Sequence, residues 1–394
     1  MPFLASNAVL VIAYKYWTQD PRILREIAAL VRFGYAVDFI CIRTPNGPPP
    51  TLEGVNIVSF PMQKKRGSTL QYVTEYLVFS LLLFFNISAL FLKKKHKVII
   101  PFVMPEFLVL LCIVPKLLGA KIIMDWEDPS IEVFRAKFHN TKKYLYPPLL
   151  LFEKAASFLA DVIITPNEGF RRAFVNRRHP GEKIHIVMNA PDMSIFNMPA
   201  ESLASAGPDK KFIILYSGSI LKRHGLDVLI RALPIIAKEI PEATLQILGN
   251  GEEDFFSKCR NLWKELGMAG HIQHLPGVFI TDMPKVILNS SIGVVPNRKD
   301  AFTSINFPQR IFEFGILKRP IVVSRLPGIQ DYYDEESLCF FEPENHVDLA
   351  EKIISLYRSP EKRSALIEKN YDITAGIDWE NAFLNIVGKL SGKQ

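Results

Sequence analysis

Short apolar runs alternate with stretches of helical spacing along the whole chain, and the alternation starts afresh about halfway. That order of elements points to parallel sheets with helices on both faces, because one parallel strand reaches the next only through a crossover. In the first half the candidate strands are Ala8–Ala13, Ala36–Ile42, Val55–Phe60, Val98–Pro101, Lys121–Met124 and Val162–Thr165. Between the first two, Arg22–Phe33 puts Ile23, Ile27, Leu30 and Val31 at helical spacing and stops at Gly34, a C-terminal glycine signal. Asn189–Lys210 mixes Pro, Asp, Ser and Ala without periodicity and reads as a linker. The second set has strands at Phe212–Tyr216, Thr244–Leu248, Ile272–Leu275, Ile292–Val295, Ile321–Val323 and Leu338–Phe341. Helices are expected at Leu226–Glu239, Glu252–Leu266, Met283–Leu288, Gln309–Leu317 and His346–Arg358. A chain of 394 residues has room for two domains of about 100–200 residues. The expected fold class is α/β, with two Rossmann-like, doubly wound parallel-sheet domains facing a cleft. They are placed at residues 1–198 and 199–376, and ligands are sought beyond the carboxyl ends of the strands.

Charge separates the halves. The net charge is +7, yet residues 1–200 carry 24 Lys and Arg against 15 Asp and Glu, so the basic surplus lies wholly in the first half. Its clusters are Lys64–Arg66, Lys93–Lys95 with Lys97, Lys142–Lys143, and Arg171, Arg172, Arg177 and Arg178. Nucleic acid or an anionic membrane suits such clusters, and a solvated face is the plain alternative for each. The apolar run Tyr76–Leu92, broken only by Ser80, Asn86 and Ser88, ends on those lysines and favours the membrane. Seventeen residues fall short of the roughly 20 that span a bilayer, so a helix lying in the membrane surface is expected. A helix buried by its own domain is the alternative. Phe107–Leu118 and Tyr144–Phe152 add further apolar material to this half. The opening residues lack a basic stretch and a cleavage site, so Ala8–Ala13 reads as a buried strand and the chain as cytoplasmic. Cys41, Cys112, Cys259 and Cys339 are widely spaced and fit a reducing compartment.

Three loops carry the candidate chemistry. Ser217-Gly218-Ser219 with Lys222, Arg223, His224 and Gly225 joins a strand to a helix, where amides and cations can hold a phosphate. Gly249-Asn250-Gly251-Glu252 repeats a glycine turn after the next strand. A GxGxxG fingerprint is absent, which lowers the case for a dehydrogenase. In Asp300–Gly315, Pro308 opens a helix that puts Arg310 and Glu313 three residues apart on one face. Arginine forks onto phosphate oxygens and a carboxylate accepts two ribose hydroxyls, although a simple surface ion pair has the same spacing. His271 and His274 flank a strand without a carboxylate partner, and no Asp-x-Asp turn is seen, so no metal is expected.

Together these segments resemble a known family. LYSGSILKRHGLDVLIRAL, LQILGNGEE, GVVPNRKDAFTSINFPQRIFEFGILKRPIVVSRLPGIQDYY and FFEPENHVDLAEKIISLY are similar to the nucleotide-sugar half of family 4 glycosyltransferases of the GT-B fold. QDPRILREIAALVRFGYAV, VMPEFLVLL, KIIMDWEDPSIEVFRAKF and EKIHIVMNAPDMSIF resemble the bacterial envelope-polysaccharide members, including lipopolysaccharide enzymes. The resemblance implies that Arg223 and Arg310 bind the donor diphosphate and Glu313 the ribose. It puts Gly218, Ser219 and His224 at the phosphate turn, Gly251 and Glu252 on the nucleotide side, and Ile311 beside Arg310. Asp300, Thr303 and Ser304 belong to the loop over the transferred sugar. Glu127, Asp128, Arg223 and Arg310 form the implied catalytic set, and Asp20, Arg22 and Glu106 the acceptor side. A final helix around Trp379–Leu390 should pack back on the first domain.

Three positions depart from the family pattern. Ile305 stands where many members carry a glutamate, and Arg310 where this subgroup usually has lysine. Glu127 in Asp125-Trp126-Glu127-Asp128 replaces the usual histidine, and a carboxylate does not donate as an imidazole does. The expected function is a retaining, metal-independent glycosyltransferase with a nucleotide diphosphate sugar as co-substrate and no cofactor. It would use a lipid-linked or other glycan acceptor at an anionic membrane surface, peripheral on the inner face of the plasma membrane. A weak or inactive scaffold in a polysaccharide assembly complex is the alternative, with a nucleotide-sugar epimerase a third. Nucleic acid is not expected as a partner, for want of base-stacking motifs, and the oligomeric state is open.

Overall fold

The computed structural model describes residues 7–16, 20–47, 49–62, 69–138, 146–199, 211–275 and 277–393. Lys64–Arg66, Lys142–Lys143 and the second half of the expected linker lie outside the described residues. The chain divides into two units, residues 1–189 with 378–394, and residues 190–377.

In the first unit the strands are β1 (Ala8–Tyr16), β2 (Ala36–Arg43), β3 (Val55–Pro61), β4 (Val98–Phe102), β5 (Lys121–Asp125), β6 (Val162–Thr165) and β7 (Ile184–Ile186). They form one parallel sheet in the order β3-β2-β1-β4-β5-β6-β7. Continuous Val, Ile and Leu runs take these positions because helices cover both faces of such a sheet. The helices are α1 (Pro21–Arg32), α2 (Thr69–Lys94), α3 (Ile113–Leu117), α4 (Ser130–Phe138), α5 (Tyr146–Leu159) and α6 (Glu168–Asn176). The Asp20 side chain caps α1 by accepting from the Arg22 and Ile23 amides, with Pro21 at the first turn.

The second unit has β8 (Ile213–Ser217), β9 (Thr244–Leu248), β10 (Ile272–Leu275), β11 (Ile292–Val295), β12 (Ile321–Ser324) and β13 (Cys339–Phe341), in the order β10-β9-β8-β11-β12-β13. Its helices are α7 (Leu226–Glu239), α8 (Glu253–Glu265), α9 (Met283–Leu288), α10 (Arg310–Ile316), α11 (His346–Arg358) and α12 (Pro360–Ala375). Leu229, Leu233 and Ile236 of α7 close one face of this sheet with Leu349 and Ile353 of α11. The last helix, α13 (Trp379–Ser391), belongs to the first unit. There Tyr35 and Ser391 share a hydroxyl hydrogen bond of 2.9 Å, and the Arg25 guanidinium lies 4.2 Å over the Trp379 ring.

In each sheet the strand order reverses beside the first strand, between β1 and β4 and between β8 and β11. Loops leaving opposite ways at that point open a crevice at the carboxyl ends of the strands, where ligands of doubly wound sheets bind.

Helix α2 is longer than its apolar run implies, 26 residues, because Thr69–Glu75 continues the helix upstream. Among the described residues it is the one helix long and apolar enough to cross a membrane by length and composition. Among the residues of α2 whose burial is described, only the row Phe79, Leu83, Ile87 and Phe91 is buried, one residue per turn against the first unit. Leu77, Leu81, Phe85 and Leu92 are exposed on α2, as are Leu151 and Phe158 on α5 and Leu117 on α3.

Candidate functional site

Ser217-Gly218-Ser219, following β8, and Gly249-Asn250-Gly251, following β9, are laced together by backbone bonds. Gly218 donates to the Leu248 carbonyl at 3.0 Å, Ile220 to Asn250 at 2.9 Å and Glu252 to Ile220 at 3.0 Å. Gly249 has φ of +147°, and a Cβ there would lie 1.9 Å from the Gly218 carbonyl oxygen, so no other residue fits this crossing. The Ser219 carbonyl accepts from the Tyr216 hydroxyl at 3.0 Å and from His224 Nδ1 at 2.7 Å. Burial holds the His224 imidazole below its usual value, hence neutral. With Nδ1 carrying the proton, Nε2 is left as a hydrogen-bond acceptor.

Two cavities adjoin this lacing. One of about 180 Å³ lies at the β8/β11 switch point and is lined by Ser217–Ser219, His224, Pro296, Asn297, Asn306, Gln309 and Arg310. The other, of about 270 Å³, is lined by Gly249, Asn250, Gly277, Val278, Ile280 and Met283, together again with Ser217–Ser219 and Arg310. A cation and a glycine turn are thus common to a polar chamber and a more apolar one. That suits a ligand with an anionic middle, a hydroxyl-rich end and a flat apolar end.

Arg310 opens α10, and its Nη1 lies 2.5 Å from each oxygen of Glu313, which is fully buried. Arg310 itself is partly exposed. Arg223 sits 5.4 Å from the Phe302 ring, and its carbonyl accepts from the Arg298 amide at 2.8 Å. Asp300 folds onto its own loop, Oδ1 accepting from the Phe302 and Thr303 amides at 2.8 and 2.7 Å.

The structure gathers Gly218, Ser219, His224 and Arg310 around the cavities. Gly251, Glu252, Arg223, Asp300, Ser304 and Glu313 stand outside both linings. Two donor-side residues are enclosed. Thr303 is buried, with its hydroxyl on the Arg298 carbonyl and on Asp300, and so shapes the loop. Ile311 is buried in the core, its amide on the Pro308 carbonyl. Asn306, at the end of the loop expected over the sugar, joins the lining, and so do Asn297 and Gln309, which the sequence does not mark because single amides in loops leave no pattern.

On the acceptor side Arg22 and Glu106 are both buried. Arg22 is 1% exposed, with Nε on Asp125 at 3.0 Å and Nη1 on the Val187 carbonyl at 2.9 Å, while its buried Nη2 has no hydrogen-bond partner among the described residues. Glu106 is enclosed, and burial pushes its carboxyl up. Asp20 caps α1 and pairs with Lys15, whose Nζ lies 2.6 Å from Glu127. Asp128 follows, half-buried. Of the basic cluster after α6, Arg177 turns inward onto Glu153 at 2.6 Å and onto Glu132. His271 and His274 each face a backbone carbonyl, of Ala243 and Gly249. All four cysteines are free and buried.

Residues 199–373 match the family model of glycosyl transferases group 1. The match covers the strands, turns and helix that build both cavities. An uncharacterized glycosyltransferase of Methanocaldococcus jannaschii is 24% identical over 173 residues, 44% of this chain and 46% of that protein. A D-inositol 3-phosphate glycosyltransferase of an Arthrobacter species is 26% identical over 207 residues, 50% of this chain and 47% of that protein. The chain thus spans about half the length of the curated relatives it matches. The crystal structure of Anabaena HepE in complex with UDP superposes with a TM-score of 0.69 at 12% identity, covering 98% of this chain and 100% of that one. At that identity the likeness speaks for the fold, the two Rossmann-like units of GT-B glycosyltransferases.

Proposed function

We propose that this chain transfers a sugar from a nucleoside diphosphate sugar. One observation carries the reading: Arg310 and the Ser217–Ser219 turn line both the cavity at the β8/β11 switch point and the one beside it. The diphosphate rests on Arg310 where the cavities meet, with Arg223 from the same loop region adding charge. The base enters the chamber of Val278, Ile280 and Met283, and the sugar takes the polar one, where His224 Nε2 accepts from a hydroxyl and Asn297 supplies an amide. Glu313 reaches the ribose hydroxyls once the phosphate draws Arg310 from it. Positive charge fixed beside the leaving diphosphate favours departure, since it interacts most strongly when the negative charge is fullest. Pro308 and the buried side of α10 fix the backbone of Arg310, so only its side chain turns from Glu313 to the phosphate.

Retention of configuration is proposed on the likeness to family 4 enzymes, with Glu127 and Asp128 at the acceptor side. The acceptor is proposed to be a lipid-linked glycan of an envelope polysaccharide. The support is the exposed apolar side chains of α2, α3 and α5 beside Lys93 and Lys154, which suit a peripheral seat on an anionic cytoplasmic leaflet.

Calorimetry with UDP, GDP and ADP tests the donor site. One nucleotide should bind, and Glu313→Ala and Arg310→Ala should each weaken it at least about ten-fold, the worth of one charge-assisted hydrogen bond. Unchanged affinity in both variants overturns the site. Failure of all three nucleotides to bind folded protein leaves the scaffold reading.

A further inference from the structure

The switch point of the first sheet carries a line of charges that donor binding does not use. Strand β1 slips its register against β2 between Ile12 and Tyr16, and such an irregularity re-aims side chains at the end of a strand. Lys15 lies in that stretch. Its Nζ is 2.6 Å from Glu127 Oε2 and is also paired with Asp20 Oδ2, while Asp20 Oδ1 is held by the Arg22 and Ile23 amides at 3.0 and 3.2 Å. The ammonium is therefore anchored on one side by a helix cap and grips Glu127 with the other. Glu127 follows β5 by two residues, and Asp125, at the end of that strand, is fixed by Arg22. Both ends of the Lys15–Glu127 link thus stand on rigid backbone.

We propose that Lys15 is the positioning residue for Glu127, holding it as a fixed hydrogen-bond acceptor that orients the incoming hydroxyl in the transfer described above. The proposal rests on that transferase reading for the hydroxyl and on geometry alone for the ion pair. Glu127 takes up no proton in this role. The histidine usual at this place in the resembled family can donate a hydrogen bond. A carboxylate only accepts, and it needs a neighbouring cation to stay ionised when half-buried.

The charges that face Glu127 set its titration. Burial is the largest influence and pushes its carboxyl up to about 7, Asp20 and Asp128 push the same way, and Lys15 and Arg22 oppose them. Glu26 and Arg25 of α1 lie further back in the same field. Glu26 is fully enclosed, 3.3 Å from Arg22 Nε, and burial pushes its carboxyl well up. Lys15 is thus the cation in direct contact with Glu127, and its removal raises the Glu127 pKa further.

Carboxyl-carbon NMR of the full chain labelled at glutamate reads this directly, with Glu127→Gln assigning the signal. The wild-type signal should titrate near 7. In Lys15→Met the midpoint should rise by about one unit or more, and Lys15→Arg should bring it back. Lys15→Gln serves as a second variant where the methionine one does not fold. The acid limb of the pH–rate profile should move by the same interval, so that activity at pH 7 falls about five-fold and recovers at higher pH. Affinity for the nucleotide that binds in calorimetry should not change. An unmoved Glu127 midpoint, an equal loss of rate at every pH, or an arginine variant that behaves like the methionine one overturns the assignment. Nucleotide binding without the NMR shift brings down the Lys15 assignment alone. The NMR shift without any nucleotide binding brings down the transferase reading, and with it the hydroxyl-orienting role.

Discussion

Replacing Gly249 by alanine would drive a methyl group into the Gly218 carbonyl at a φ that L-residues avoid. Strain and clash together should cost about 1–3 kcal/mol by urea denaturation, and nucleotide binding should fall with it. Gly267 is the control: it also has positive φ, +68°, but meets nothing within 4 Å, so alanine there should cost about 1 kcal/mol and leave binding intact. Single residues were legible in the sequence where they stood in a pattern. Arg310 and Glu313 share a helix face behind Pro308, and the glycine turns end strands. Lys15 sits in an apolar strand with nothing nearby in sequence to mark it, and its partner Glu127 is 112 residues away. The burial of Thr303 and Ile311 was not legible, because a matching motif says which residues accompany a ligand and not which of them turn inward.

Elements were legible where hydrophobic patterning was strong. The strands flanked by Gly, Pro or Asn sit within a residue or two of expectation, save that β1 runs on to Tyr16. Strand β7 has three residues on a sheet edge and α12 a polar face, and neither gives a periodic signal. The buried row of α12 is Leu366, Asn370 and Thr374, tied by hydrogen bonds among Asn370, Thr374 and Tyr333. It packs on Gly315, where a Cβ would come within 2.5 Å of Thr374 and Asn370 oxygens, so a helix silent in the pattern supports the one that carries Arg310. Helix α2 allows a test of its two faces. Leu83→Ala, in the buried row, should cost about 2–5 kcal/mol. Leu81→Ser with Phe85→Ser, both exposed, should change stability by less than about 0.5 kcal/mol. The same double variant should lose most of its co-sedimentation with vesicles rich in phosphatidylglycerol. Unaltered sedimentation would remove the membrane proposal and leave the donor site standing.

At the scale of the whole molecule, two parallel sheets each close their own core, and the alternation of elements makes that division readable from the sequence. Less readable is the sharing of the first core between distant segments. Trp379, Phe383 and Val387 of α13 are buried in the unit that begins with β1. Phe383→Ala should therefore cost about 3–5 kcal/mol. Hydrogen exchange should localise the loss: β4, β5 and α1 exchange faster, while β8, β9 and β11 keep their protection. Faster exchange across both sheets alike would contradict the division. The same helix fixes an order of events during synthesis. Residues 190–377 form an unbroken stretch and can fold as soon as they leave the ribosome, whereas the earlier half must wait for the last helix to emerge. Units usually mature from the amino end; here the second to be made is the first that can be finished, and the exposed apolar faces of α2 and α5 belong to the one kept waiting.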